Sequence, residues 1–292
     1  MSQEWTLVAD GLQAPEGPVV MPDGSALVVE MRGGCVTRCW NGRKEIVAVL
    51  GGGPNGAALG PDGALYVCNA GGTNWEKGGN LTGPGTEGRI ERVDLSTGKF
   101  ERLYESDGDM HVSAPNDIVF APDGSFWFSD FGKRYGNMVE RSSLFVGKAD
   151  GSSCTPIFDK AVSFNGVGLS PDGATCYVAD TLQARIYTFD ATRIEYQTPT
   201  YLTTVTGNTL LDSMAITESG NVCVGLIEGM GVAQISPTGE VSKPFSFNDR
   251  LVTNIAFGGD NMRDAYITCT STGQLIKTRW HEPGLKIPFS RL

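Results

Sequence analysis

Six oxygen-bearing side chains recur along the chain, each at the head of one short phrase. The copies are Glu16-Gly17-Pro18, Asn55-Gly56-Ala57, Asn116-Asp117-Ile118, Asn165-Gly166-Val167, Asp212-Ser213-Met214 and Asn254-Ile255-Ala256. Two heads are carboxylates and four are amides, with no imidazole or thiolate among them. Such a set suits a hard cation: Ca²⁺ first, then Mg²⁺ or Mn²⁺, with Zn²⁺ the remaining alternative. Two negative charges neutralise one divalent ion. Buried together without an ion, these groups would be poorly paired, at about 1–3 kcal/mol each. An Asn or Asp in any single copy also fits a turn bonded to its own backbone. That reading does not account for Glu16, or for carboxylates in only two copies.

The elements that position these residues follow from the repeat. In the first four copies the Asp of a Pro-Asp-Gly turn stands seven residues after the head, at Asp23, Asp62, Asp123 and Asp172. Pro presets the first turn angle, Asp bonds its own backbone and Gly takes the left-handed position. The fifth copy keeps the register with Ser219-Gly220 and the sixth with Asp260-Asn261. Successive heads are 39, 61, 49, 47 and 42 residues apart, the length of a four-stranded sheet with its turns. The spacing predicts an all-β, six-bladed β-propeller over 1–292, a single domain. In the third copy, Ile118–Ala121 and Ser125–Ser129 read as strands on either side of the turn. In the fourth, Val167–Ser170 and Thr175–Ala179 do the same, with Arg185–Phe189 as a third strand. Each head is expected just before the innermost strand of its blade, so that six heads ring the tunnel mouth. The last copy offers three strands, and Trp5–Ala9 is an orphan ahead of the first. Pairing the orphan onto the last blade closes the ring and removes a sheet edge.

Segments 69–88 and 130–143 lack strand pattern and lengthen their copies. They read as loops that build a binding surface, with Asn69, Arg134 and Tyr135 as candidate substrate contacts beside Asn55. Histidine is limited to His111 and His281, which makes a Ser-His-Asp triad hard to assemble. Gly51-Gly52-Gly53 precedes Pro and Asn, not a helix, and reads as a loop.

Composition narrows the class. Glycine occurs 39 times, as many tight turns require, and the formal charge is −10. That charge repels phosphate backbones, which argues against nucleic acid as a partner. No stretch is long and apolar enough to span a bilayer, and the N-terminal decapeptide does not read as a signal peptide. Seven cysteines without a Cys-x-x-Cys pair read as buried free thiols in a reducing cytoplasm.

These motifs resemble the SMP-30/gluconolactonase/luciferin-regenerating-enzyme-like family of six-bladed propeller lactonases. The most specific parts are Ala14-Pro15-Glu16-Gly17-Pro18, Pro115-Asn116-Asp117 with Phe128-Ser129-Asp130-Phe131-Gly132, Phe164-Asn165-Gly166, and Leu211-Asp212-Ser213-Met214. The resemblance implies one divalent metal held by Glu16, Asn116, Asn165 and Asp212. It also implies Asp212 as catalytic base or nucleophile, and Asp117 behind Asn116 as an orienting group. The implied reaction is hydrolysis of a small-molecule lactone, by a monomer or homodimer. A phosphotriester or fluorophosphate substrate, and a non-catalytic calcium-binding scaffold, are the alternatives. Ala114 stands where sugar-lactone members often carry Arg. Met214, Phe131 and Phe164 suggest apolar walls around the pocket.

Overall fold

A computed structural model describes residues 4–290 apart from 78, 82, 108 and 109. The sequence expectations that touch residues 1–3, 291–292 and those four loop positions lie outside the described residues. The described residues form 26 strands and no helix. Six antiparallel four-stranded sheets take 24 of the strands, and a short hairpin of Arg134–Tyr135 with Met138–Val139 takes the other two. Blade one starts at Pro15–Val20, blade two at Pro54–Leu59 and blade three at Pro115–Phe120. Blade four starts at Phe164–Leu169, blade five at Leu210–Ile216 and blade six at Val252–Gly258. These first strands are the innermost, and each packs on the first strand of the next blade, with blade six returning to blade one. The ring is a closed six-bladed β-propeller.

Closure follows the sequence expectation. Trp5–Ala9 adds as the outermost strand of blade six, pairing Trp5 with Thr278 and Leu7 with Ile276. Val8 and Ala9 are buried with Tyr266 and Leu275 of blade six and with Val20, Val28 and Cys39 of blade one. Equivalent apolar layers fill each of the five other gaps between neighbouring blades. The fold is therefore held by sheet-on-sheet burial repeated around a circle.

The Pro-Asp-Gly turns behave as their chemistry requires. Asp23, Asp62, Asp123 and Asp172 each accept from the backbone N–H two residues on, at 2.9–3.1 Å. The seven cysteines are free thiols, all buried except the half-buried Cys154. Among the described residues no helix is long and apolar enough to cross a membrane.

Candidate metal centre

The repeated phrase lies inside each innermost strand, not before it, and this corrects the sequence expectation. In blades one to five strand pairing loses register within the phrase, at Glu16/Val19, Pro54/Ala57, Pro115/Ile118, Phe164/Val167 and Leu211/Met214; in blade six the shift comes one residue earlier, at Val252/Asn254, and Asn254 itself is paired with Thr268. A bulge breaks the in–out alternation and re-aims side chains, here within the phrase in five blades and just ahead of it in the sixth. Glycine in the second position then has a packing reason. A Cβ on Gly17 would lie 2.5 Å from Asn55 O, one on Gly56 2.5 Å from Asn116 O, and one on Gly166 2.6 Å from Asp212 O. Each of these glycines lets the backbone of the next phrase approach, which keeps the ring of heads tight.

Contacts between blades show that the heads converge. Asn254 Nδ2 donates to Glu16 Oε2 at 3.1 Å, joining blades six and one. Ser213 Oγ donates to Asn165 Oδ1 at 3.4 Å, joining blades five and four. Val167 N donates to Asp117 Oδ2 at 3.1 Å, joining blades four and three. Ser129 Oγ donates to the Asn165 carbonyl and accepts from Asp117 N at 3.1 Å. Glu16, Asn116, Asn165, Asp212 and Asn254 are buried, as is Asp117, and Asn55 is half-buried.

Burial dominates the electrostatics. It pushes the Glu16 carboxyl up to about 7, against the opposing bonds from Gly17 N, Thr253 and Asn254. Asp117 is likewise pushed up to about 7, first by burial and further by the Glu16 charge. Asp212 is held well above the ordinary range by burial and by the charges of Glu16 and Asp117, while Asn165 acts the other way. Three carboxyls thus share one poorly hydrated region and repel one another when ionised.

The donor set fits a hard divalent ion. Asn55 Oδ1 and Asn116 Oδ1 are buried without a hydrogen-bond partner among the described residues. Both are amide oxygens of the ring, free to accept from a donor or to coordinate a cation. Among the described residues no three His, Cys, Asp or Glu side chains cluster closely enough to hold an ion by themselves. An ion here would draw on amide oxygens as well as carboxylates.

The expected substrate contacts separate into two kinds. Asn69 is fully buried and its amide is engaged throughout. Oδ1 accepts from Gly53 N at 2.9 Å and Gly71 N at 3.0 Å, while Nδ2 donates to Gly51 O at 3.0 Å and Glu91 Oε2 at 2.8 Å. Glu91 also pairs with Arg89 at 2.6 Å, both of them buried. Asn69 therefore anchors its loop, and no donor or acceptor remains for a substrate. Arg134 and Tyr135 lie on the hairpin that follows the second strand of blade three. Arg134 N donates to Asn80 Oδ1 at 2.8 Å and Asn80 N donates to Arg134 O at 2.8 Å, which ties the two long loops together. The Arg134 guanidinium stacks over Phe131, with Nε and Nη2 shielded and without partners among the described residues. Tyr135 OH donates to Glu140, which Ser113 Oγ also reaches. Phe164 is buried in the layer between blades three and four. His111 is 68% exposed and 3.4 Å from Glu140. Sequence reasoning missed Ser129 and Ser213, which brace the ring, because a serine in a strand carries no signal of its own.

The chain also matches known proteins. Residues 14–271 match the model described as the SMP-30/Gluconolactonase/LRE-like region. The chain belongs to the SMP-30/gluconolactonase/LRE-like family. A relative within reach is Lactonase drp35 of Staphylococcus saprophyticus subsp. saprophyticus, 26% identical over 193 residues, which are 65% of this chain. The match spans only 55% of that relative's length. Among solved structures, the calcium-binding protein regucalcin of Agrobacterium tumefaciens superposes with a TM-score of 0.79 at 17% identity, covering 100% of this chain and 99% of its own. A gluconolactonase of Xanthomonas campestris superposes at 0.77 with 20% identity, covering 95% and 89%. At those identities the structures speak for the fold, and the SMP-30/gluconolactonase/LRE-like assignment rests on the family match.

Proposed function

We propose that this family member hydrolyses a lactone to its hydroxy acid with the help of one divalent metal ion, Ca²⁺ before others. The observation that carries the reading is the convergence, at the irregular stretch of each innermost strand, of two buried carboxylates and four amides, two of whose oxygens are without a hydrogen-bond partner among the described residues. Lactonase and gluconolactonase relatives, and a calcium-binding structural neighbour, support it. Glu16, Asn116, Asn165 and Asp212 would hold the ion. Bound there, it would supply Lewis-acid polarisation of a carbonyl and compensation of negative charge.

The chain's own residues do the rest. Asp212, once ionised, is the group that accepts the proton of the attacking water at a carboxylate oxygen, or itself attacks the ester carbon. Its burial strengthens it as a base relative to an exposed aspartate. Asn165 borders Asp212 and favours its charged form. Asp117 accepts from Ile118 N at 3.0 Å and from Val167 N at 3.1 Å, so it fixes the backbone on either side of Asn116 and Asn165. The hydrogen bonds between Asn80 and Arg134 tie the long loop of blade two to that of blade three.

The test is alanine at Asp212, assayed on a lactone panel by acid release with Ca²⁺ present. Turnover is expected to fall by at least a thousandfold with the β-sheet circular dichroism unchanged; full turnover would remove Asp212 from the chemistry. An organophosphate panel run in parallel would favour the phosphotriester alternative if it outpaced the lactones. A wild-type protein that keeps its ion but opens no lactone would make the ring a structural ion site.

A further inference from the structure

A cavity of about 230 Å³ occupies the axis of the propeller below the oxygen ring. Its upper end meets Gly17, Asp117 and Asn254, and its wall is mainly apolar, with Val119, Val167, Met214 and Phe257 among the lining side chains. The lower end is covered by the chain's own C-terminal segment. Glu218 N donates to Pro283 O at 2.9 Å, Gly284 N to Met262 O at 2.6 Å and Leu285 N to Ile216 O at 2.8 Å. Beyond Leu285 the segment is held by packing, with the Phe289 ring edge-on to Phe120 at 5.8 Å. Ile287, Pro288 and Ser290 face the cavity. Ser290 is 3% exposed, and its Oγ has no hydrogen-bond partner among the described residues.

These features belong together. An apolar void of roughly 150 Å³ is large enough to take up benzene, and it gains dispersion contacts by doing so. A larger void with one idle hydroxyl at its floor suits a larger guest with one oxygen. Lys286 and Asp172, which also border the cavity, are exposed to solvent, so a charged guest inside it would face an apolar wall and, at the top, a buried carboxyl at Asp117. We propose that this channel is a binding site for a small, uncharged, mainly apolar molecule with one hydrogen-bonding oxygen, of the phenol or medium-chain alcohol class, and that Ser290 is its polar contact. The site is distinct from the ring above it and does not depend on the lactonase reading.

Three probes of one shape test it on the full chain: toluene, p-cresol and p-toluate, each titrated calorimetrically and soaked into crystals. Toluene and p-cresol are expected to bind in the channel and p-toluate not to bind. Ser290→Ala is expected to weaken p-cresol about three- to tenfold, as loss of one neutral hydrogen bond would, and to leave toluene within twofold. Ala215→Leu fills the channel from blade five and should abolish binding of both; Ala256→Leu does the same from blade six should the first variant fold poorly. The proposal is overturned if neither toluene nor p-cresol binds. It is equally overturned if p-toluate binds as tightly as p-cresol, or if the filling variants leave both affinities unchanged.

Discussion

Replacing Glu16 by Gln should stabilise the metal-free protein, although Glu16 is a proposed metal ligand. The native carboxyl holds its proton up to about pH 7, against 4.5 for an unhindered glutamate. The folded state therefore binds more protons than the unfolded state between those values, and stability falls as pH rises through that window. The penalty is absent below about pH 4.5 and complete above about pH 7. At 1.36 kcal/mol for each tenfold, it comes to about 3 kcal/mol for this one group. Gln keeps the shape and an oxygen for the bonds from Gly17 N and Asn254 Nδ2 but carries no charge to desolvate. In chelator at pH 8 the variant should melt about 6 °C above wild type, at roughly 2 °C per kcal/mol for a chain of this size. At pH 4.5 the two should melt together. Calcium reverses the order at pH 8: wild type gains about 2.7 kcal/mol at a hundredfold excess over Kd, and the variant gains little. Scanning calorimetry at the two pH values, with chelator and with Ca²⁺, measures all four states. A variant no more stable than wild type in chelator at pH 8 would refute the account of Glu16 as a buried charge awaiting a cation. Equal stabilisation of both proteins by Ca²⁺ would remove Glu16 from the ligand set.

Other perturbations test the frame around the ring. Gly166→Ala places a methyl 2.6 Å from Asp212 O; it should cost about 1–3 kcal/mol by denaturant titration and reduce lactone turnover more than tenfold, because Asp212 itself must shift. Removing residues 1–9 strips the strand that pairs with Gln274–Arg279 and uncovers an edge, so a lower unfolding midpoint and light-scattering aggregation are expected. Arg89→Met leaves Glu91 buried and uncompensated, which should cost about 3–5 kcal/mol by chemical denaturation at pH 7, with the loss relieved in an Arg89→Met/Glu91→Leu double variant.

The architecture was legible because its causes are local. Pro-Asp-Gly turns, short apolar strands and a phrase returning every 39 to 61 residues need no knowledge of distant partners. They specify the number of blades, and an orphan strand at Trp5–Ala9 specifies the closure. The ring's membership follows from the same repeat, since equivalent positions in equivalent blades meet at the axis.

Other features were decided across blades. The heads sit within bulged strands, because register depends on the partner strand and not on the phrase itself. Asn69 looked available in the sequence, yet Gly51, Gly53, Gly71 and Glu91 claim every one of its hydrogen bonds. Phe164 stands beside a ring residue but is buried in the layer between blades three and four, an outcome set by the packing of the two blades. The C-terminal segment carries no repeat signal at all, and only packing places it under the channel. Sequence by itself determined how many sheets close around the axis and which oxygens they bring there. Tertiary structure alone decided which of those oxygens are left without partners, because satisfaction of a buried polar group depends on atoms tens to hundreds of residues away.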